Sequence, residues 1–288
     1  MKSCVVARLS LAAVVGCGAV TAASGGTLPR PDHVVIVIEE NKSFSNIIGN
    51  RAAPYINQLA ARGALFTQSY ALLHPSQPNY IMLFAGSNLG VTGDGLPRHL
   101  PFTAPNLGAE LIAKRLSFRG YSEDLPEIGF SGRKAGNYAR KHNPWVNWQG
   151  APANAIPVIS NLPFSAWPAN LDRLPTVAFV IPNLQHDMHD GTIAQGDAWL
   201  KAELDGYIRW AAAHNSLLIF TFDEDNGHEG QRIPTIFVGP MVRPGRYEQR
   251  ITHYNVLRTV EEFYGLVPSG AAANAAAIDY CWQPVAGR

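Results

Sequence analysis

Cysteine is nearly missing from this chain. Three of 288 residues are cysteine, and Cys4 and Cys17 both lie near the N-terminus, which leaves Cys281 as the one thiol in the rest of the sequence. A lone thiol cannot close an internal disulfide, so stability has to come from a packed core. Cys281 also sits in a C-terminal tail without a neighbouring histidine, and it reads as a small buried apolar residue rather than a nucleophile. An excess of one charge is missing too: 23 Lys+Arg stand against 22 Asp+Glu. No global field then draws in nucleic acid or an anionic membrane, and anion binding has to be local. After the first 20 residues no apolar run is long enough to span a bilayer.

What is present describes an exported globular protein. The hydrophobic fraction of 47% is that of a chain with a full core, and 21 Pro and 26 Gly imply many ordered loops. Lys2 and Arg8 precede the apolar run 9–20, and Thr21-Ala22-Ala23 offers small residues at a cleavage point. Residues 1–23 therefore read as an export signal, with a periplasmic or secreted destination, and 24–288 as a single catalytic domain. An alternative is a lipoprotein, because Val14-Val15-Gly16-Cys17 resembles a processing site that would leave Cys17 lipidated.

Four segments, 34–38, 176–181, 217–222 and 235–238, are continuous β-branched and aromatic runs, the pattern of strands covered on both faces. Helical periodicity runs through 55–61, 107–116, 199–213 and 256–264, with Asp197 as the expected N-cap of the third. Alternating strands and helices predict a mostly parallel sheet. The stretch 120–172, rich in Pro, Asn, Trp and Gly, reads as an irregular cap-like excursion over the sheet edge.

Polar clusters follow the strands. The first runs into Glu39-Glu40-Asn41, the second into Asn183 through Gly191, the third into Asp223-Glu224-Asp225. Loops after parallel strands converge on one edge, where ligands bind. Carboxylates that converge there repel one another unless a cation sits between them. The oxygen donors Glu40, Asn41, Asp223 and Glu224 suit calcium, magnesium or manganese. Nitrogen from His189, His228 or His253 would favour zinc or iron. In a second feature, Leu73-His74-Pro75-Ser76-Gln77-Pro78-Asn79-Tyr80, two prolines pin the backbone around one hydroxyl. A serine there needs a metal or a base to become nucleophilic. Read locally, the same stretch is better taken as a proline-rich turn.

These motifs, with His253-Tyr254-Asn255-Val256-Leu257-Arg258-Thr259 and Tyr138-Ala139-Arg140-Lys141-His142-Asn143-Pro144-Trp145, resemble the phosphoesterase family of acid phosphatases and phospholipases C, in the alkaline phosphatase superfamily. The match keeps their order along nearly the whole chain after the signal. The resemblance implies a three-layer α/β/α sandwich with an alkaline-phosphatase-like sheet. It implies Ser76 as the hydroxyl nucleophile, forming a phosphoserine. The metal ligands would be Glu40, Asn41, Asp223 and Glu224, with Asp187, Asp190 and His228 as further candidates for one or two divalent ions. His186, His189 and His253 would contact the phosphate or move protons, and Asn79, Lys141 and His142 would hold the substrate phosphate. The expected activity is that of a phosphomonoesterase of acid-phosphatase type acting on a small phosphate ester. Three rivals stay open: a phosphodiesterase or phospholipase C on the same site, a metal-free serine hydrolase, and a non-catalytic exported metal-binding protein. The serine hydrolase lacks its Gly-x-Ser-x-Gly elbow, since Ser76 lies between Pro75 and Gln77.

Overall fold

A computed structural model describes Met1 and residues 28–284. Apart from Met1, the expected export signal and the alternative anchor at Cys17 lie outside the described residues. Eight strands make the main sheet: β1 (His33–Glu39), β2 (Ala64–Phe66), β3 (Phe118–Ser122), β4 (Asn161–Pro163), β5 (Val177–Ile181), β6 (Ser216–Phe222), β7 (Thr235–Val238) and β8 (Gly245–Tyr247). Their order is β8-β2-β7-β6-β1-β5-β3-β4. Neighbours pair in parallel except at β7, which runs against both β6 and β2. The four strands legible in sequence are the contiguous centre of this sheet, β7-β6-β1-β5, where both faces are covered and every position is free to be apolar.

Six helices accompany the sheet: α1 (Phe44–Ile47), α2 (Pro54–Arg62), α3 (Ser76–Ala85), α4 (Leu107–Ala113), α5 (Ile193–Ala211) and α6 (His253–Phe263). Alternation along β1 shows how the layers form. Val34, Ile36 and Ile38 pack in one core with Tyr80 and Phe84 of α3 and Val256 and Val260 of α6. Val35 and Val37 pack on the other side with Ile56 and Leu59 of α2 and Leu200, Leu204 and Ile208 of α5. Successive residues of a strand face opposite ways, so one strand seeds both cores of a three-layer sandwich. Among the described residues no helix is long and apolar enough to cross a membrane.

Three sequence expectations change. Asp197 does not cap α5. The helix starts earlier, with Thr192 accepting from Gln195 N, and Asp197 lies inside it. Its carboxylate instead accepts the Tyr55 and Ile56 amides and so caps α2. The proline-pinned stretch around Ser76 is not a turn but the start of α3, with Pro75 as N-cap; a proline is tolerated in the first turn because those amides have no helical partner. The excursion 120–172 contributes β4 and three residues of β3 to the sheet, and Trp145 and Trp148 to the core. Gly120 makes room for Trp145, since a Cβ at Gly120 would lie 2.0 Å from Trp145 Cε2.

Candidate active site

Backbone bonds tie the loops after β1, β5 and β6 together. Asp223 N donates to Glu39 O at 3.0 Å and Glu40 N donates to Asp187 O at 2.7 Å. Asn41 N donates to Asp223 Oδ1 at 3.0 Å. Asn41 takes up a left-handed backbone (φ 48°), which asparagine adopts more readily than most residues. Against this edge α3 delivers Ser76 as its first residue. The Ser76 hydroxyl donates to Glu40 Oε2 at 2.9 Å and lies 3.4 Å from both Asn41 Oδ1 and Glu224 Oε1.

The centre of this group holds too many acceptors. One terminal atom of the Asn41 amide lies 3.1 Å from Glu224 Oε1, 3.2 Å from Glu40 Oε2, and 3.2 and 3.3 Å from the two oxygens of Asp223. As an oxygen it meets only other acceptors, and as a nitrogen it would donate to all three residues. Burial, then Asp223 and Asp187, pushes the Glu40 carboxyl well above its ordinary range. Burial lifts Asp223 to about 7, and burial followed by Asp223 lifts Glu224 to about 8. Such a set either holds protons or gathers around a cation, and its all-oxygen donors fit a hard divalent ion.

A second group shares Glu40. His142 is buried with Nε2 3.2 Å from Glu40 Oε1 and Nδ1 3.1 Å from Asp187 Oδ2. Burial holds its imidazole well below the usual range, while burial pushes Asp187 up to about 7. A neutral imidazole donates from one nitrogen only, so the other faces a carboxylate as an acceptor unless a proton or a metal lies between. Glu40, His142 and Asp187 are close enough for a single ion. Tyr80 of α3 braces both groups. Its hydroxyl donates to Glu40 Oε1 at 2.5 Å, and its ring stacks on His142 at 5.2 Å.

Other expected residues lie in three kinds of place. Lys141 Nζ is 2.9 Å from Asp94 Oδ2 and 3.1 Å from His189 Nε2, and His189 Nδ1 is 2.6 Å from Asp190 Oδ1. Lys141, His189 and Asp190 line one cavity with Gln77, the neighbour of Ser76. His253 lies buried under the cluster, with Nε2 2.7 Å from the Asp223 backbone oxygen, and supports that loop from below. His186 is paired with Glu123 at 2.9 Å and stacked on Trp199, away from the Ser76 hydrogen bonds. His228 is exposed on the loop after β6 and is not brought into the carboxylate cluster. Asn79 corrects its expectation: its Oδ1 accepts from Leu72 N and Leu73 N and its Nδ2 donates to Leu73 O. It braces the loop that carries Ser76, and its Nδ2 also lies 3.5 Å from Pro75 O, so both ends of the amide are turned to the backbone.

Two contributors were missed in sequence. His74 lies 2.8 Å from Glu224 Oε2 and 3.0 Å from Asp225 Oδ1. Asp94 accepts from Gln77 N and pairs with Lys141. His74 stands two residues before Ser76, which was signal enough to find it; Asp94 sits in a glycine-flanked loop that carries no such mark.

With the geometry in place, comparison with known proteins is informative. A model of the phosphoesterase family matches residues 49–267. The chain belongs to the phosphoesterase family. This phosphoesterase is 49% identical over 280 residues to a phosphatidylinositol-3-phosphatase of Mycobacterium tuberculosis, covering 96% of the chain and 92% of that protein. It is 30% identical over 227 residues to an acid phosphatase of Aspergillus fumigatus, covering 74% of the chain and 51% of the fungal protein. Among solved structures, an alkaline phosphatase superfamily protein from Vibrio parahaemolyticus superimposes with a TM-score of 0.58 at 12% identity, over 90% of this chain and 71% of that one. The fold is thus alkaline-phosphatase-like, and the chain is a hydrolase of phosphoric esters.

Proposed function

We propose that this phosphoesterase is a metal-assisted phosphomonoesterase in which Ser76 attacks phosphorus and carries a phosphoserine. The observation that supports this most directly is the place of the Ser76 hydroxyl, donated to Glu40 at the centre of the buried oxygen donors and at the N-terminus of a ten-residue helix. Glu40, Asn41, Asp223 and Glu224 are the residues that would hold the ion. A divalent ion bound there supplies charge neutralisation for carboxylates and phosphoryl oxygens together. Glu40 Oε2 is the acceptor for the serine proton. Lys141 and His189, set by Asp94 and Asp190, meet the charge from the cavity side. Phosphoryl transfer depends mostly on such positioning and neutralisation.

The serine hydrolase alternative is disfavoured because among the described residues no histidine hydrogen-bonds Ser76; its partners are Glu40, Asn41 and Glu224. The substrate class follows the mycobacterial relative, a phosphomonoester of a lipid headgroup or a related small molecule. Residues 1–23 are read as an export signal, testable by the N-terminal mass of protein recovered outside the cytoplasm. The central test assays p-nitrophenyl phosphate against its bis-ester, with and without chelator and metal add-back. Ser76→Ala is expected to lower kcat on the monoester by about a thousandfold or more. Full activity in that variant sinks the mechanism, and faster bis-ester turnover moves the assignment to a phosphodiesterase.

A further inference from the structure

A cavity of about 460 Å³ opens beside the Ser76 site and is lined by Gln77, Arg133, Lys134, Arg140, Lys141 and His189 among others. Its acids are already engaged: Asp94 pairs with Lys141, and Asp190 with His189. Among the described residues Arg133, Lys134 and Arg140 make no ion pair, so the cavity holds three uncompensated cations. Arg140 is the unusual one. It is 6% exposed, and its Nε and Nη1 are buried with no hydrogen-bond partner among the described residues. Burying a guanidinium without acceptors is costly, and an anion that offers acceptor oxygens to its planar fork offsets that cost. Burial also holds the guanidinium below its usual range, opposed only by the Tyr138 hydroxyl. Its backbone is fixed by the bond from Arg140 N to Arg133 O, which holds the two arginines on adjoining segments.

We infer that Arg140, with Arg133 and Lys134 at the rim, forms a subsite for a second phosphate of the same substrate molecule. This rests on the reading of the Ser76 site as a phosphomonoesterase and narrows its substrates to compounds that carry another phosphate near the one removed. A soluble polyol bisphosphate and a phosphorylated inositol lipid headgroup share that chemistry.

The test measures kcat/KM for inositol 1,3-bisphosphate, for p-nitrophenyl phosphate, and for phosphatidylinositol 3-phosphate in phosphatidylcholine vesicles. In Arg140→Met the ratio of the bisphosphate to p-nitrophenyl phosphate is expected to fall by about tenfold or more, with a similar loss on the vesicle substrate. Thermal stability should not fall, because the removed charge has no partner among the described residues. Arg133→Ala with Lys134→Ala, at exposed positions that do not threaten folding, should lower the same ratio by about threefold. An unchanged ratio, an equal loss on all substrates, or a loss confined to vesicles overturns the subsite. If the wild type turns over none of the three, the phosphomonoesterase reading fails. Calorimetric binding of inositol 1,3-bisphosphate to wild type and Arg140→Met then decides the subsite alone: tighter binding by the wild type supports it, and equal binding overturns it.

Discussion

Glu261 shows how a single buried carboxyl ties stability to pH far from the reaction. It lies on α6 and is fully buried; Oε1 accepts from Ser269 N at 2.7 Å, and Oε2 has no partner among the described residues. Burial lifts its carboxyl from an ordinary 4.5 to about 7. The folded state therefore holds a proton that the unfolded chain releases above 4.5, so its contribution is complete below 4.5 and is lost as pH rises through 7. Glu261→Gln keeps the acceptor for Ser269 without the charge. Chemical denaturation should find the variant equal to wild type at pH 4.5 and more stable by about 1–3 kcal/mol at pH 8. Equal stability at pH 8 would show that the carboxyl titrates normally. Individual residues were legible in sequence where chemistry and position coincide. Glu40, Asn41, Ser76, Asp223 and Glu224 were found because strand ends and a proline-framed serine mark them. Asn79 stood in the same motif, and its side chain turned to the backbone, which no residue type announces.

At the scale of elements, helix ends carry more than helix interiors. The Asp197 carboxylate accepts the Tyr55 and Ile56 amides at 3.1 and 2.8 Å, so α5 caps the N-terminus of α2 across the sheet face. Asp197→Ala should cost about 1–2 kcal/mol in urea unfolding, with protection lost first at the α2 amides in hydrogen exchange. Unchanged exchange there would refute the cross-cap. The sequence pointed to Asp197 as a cap but assigned it to its own helix, because spacing reveals local partners only. The start of α3 was read locally as a turn for a related reason. Its ten residues are all buried, so no amphipathic stripe marks it. The edge strands β8 and β4, and β2 beside β8, escaped notice because they have three residues each, too few for a pattern.

Across the whole molecule, the sheet gathers acids from three separate loops into one low-dielectric place. Asp223, Glu224, Asp187 and Glu40 all have carboxyls raised by burial. At neutral pH such a cluster is relieved either by protons or by a cation. A divalent ion that binds only the folded state adds about 2.7 kcal/mol at a hundred times its Kd. Manganese, magnesium or calcium should raise Tm at pH 7.5, chelator should reverse the rise, and the effect should shrink near pH 5 as the carboxyls protonate. A Tm that no divalent ion moves would argue against the oxygen cluster as a metal site. Asp223→Asn combined with Glu224→Gln should lose the metal response while remaining folded.

Apolar runs and the residues that end them determined, by themselves, a mostly parallel sheet, its four central strands and the edge where chemistry gathers. A buried strand has to be apolar throughout, and parallel strands deliver their following loops to one side. Only the tertiary structure decided that Tyr80 and His142 bind the two halves of the acid cluster, that His74 reaches Glu224 and Asp225, and that Arg140 is left without a partner. Those facts depend on which side chains from segments far apart in sequence meet and which do not, and local pattern carries no record of such meetings.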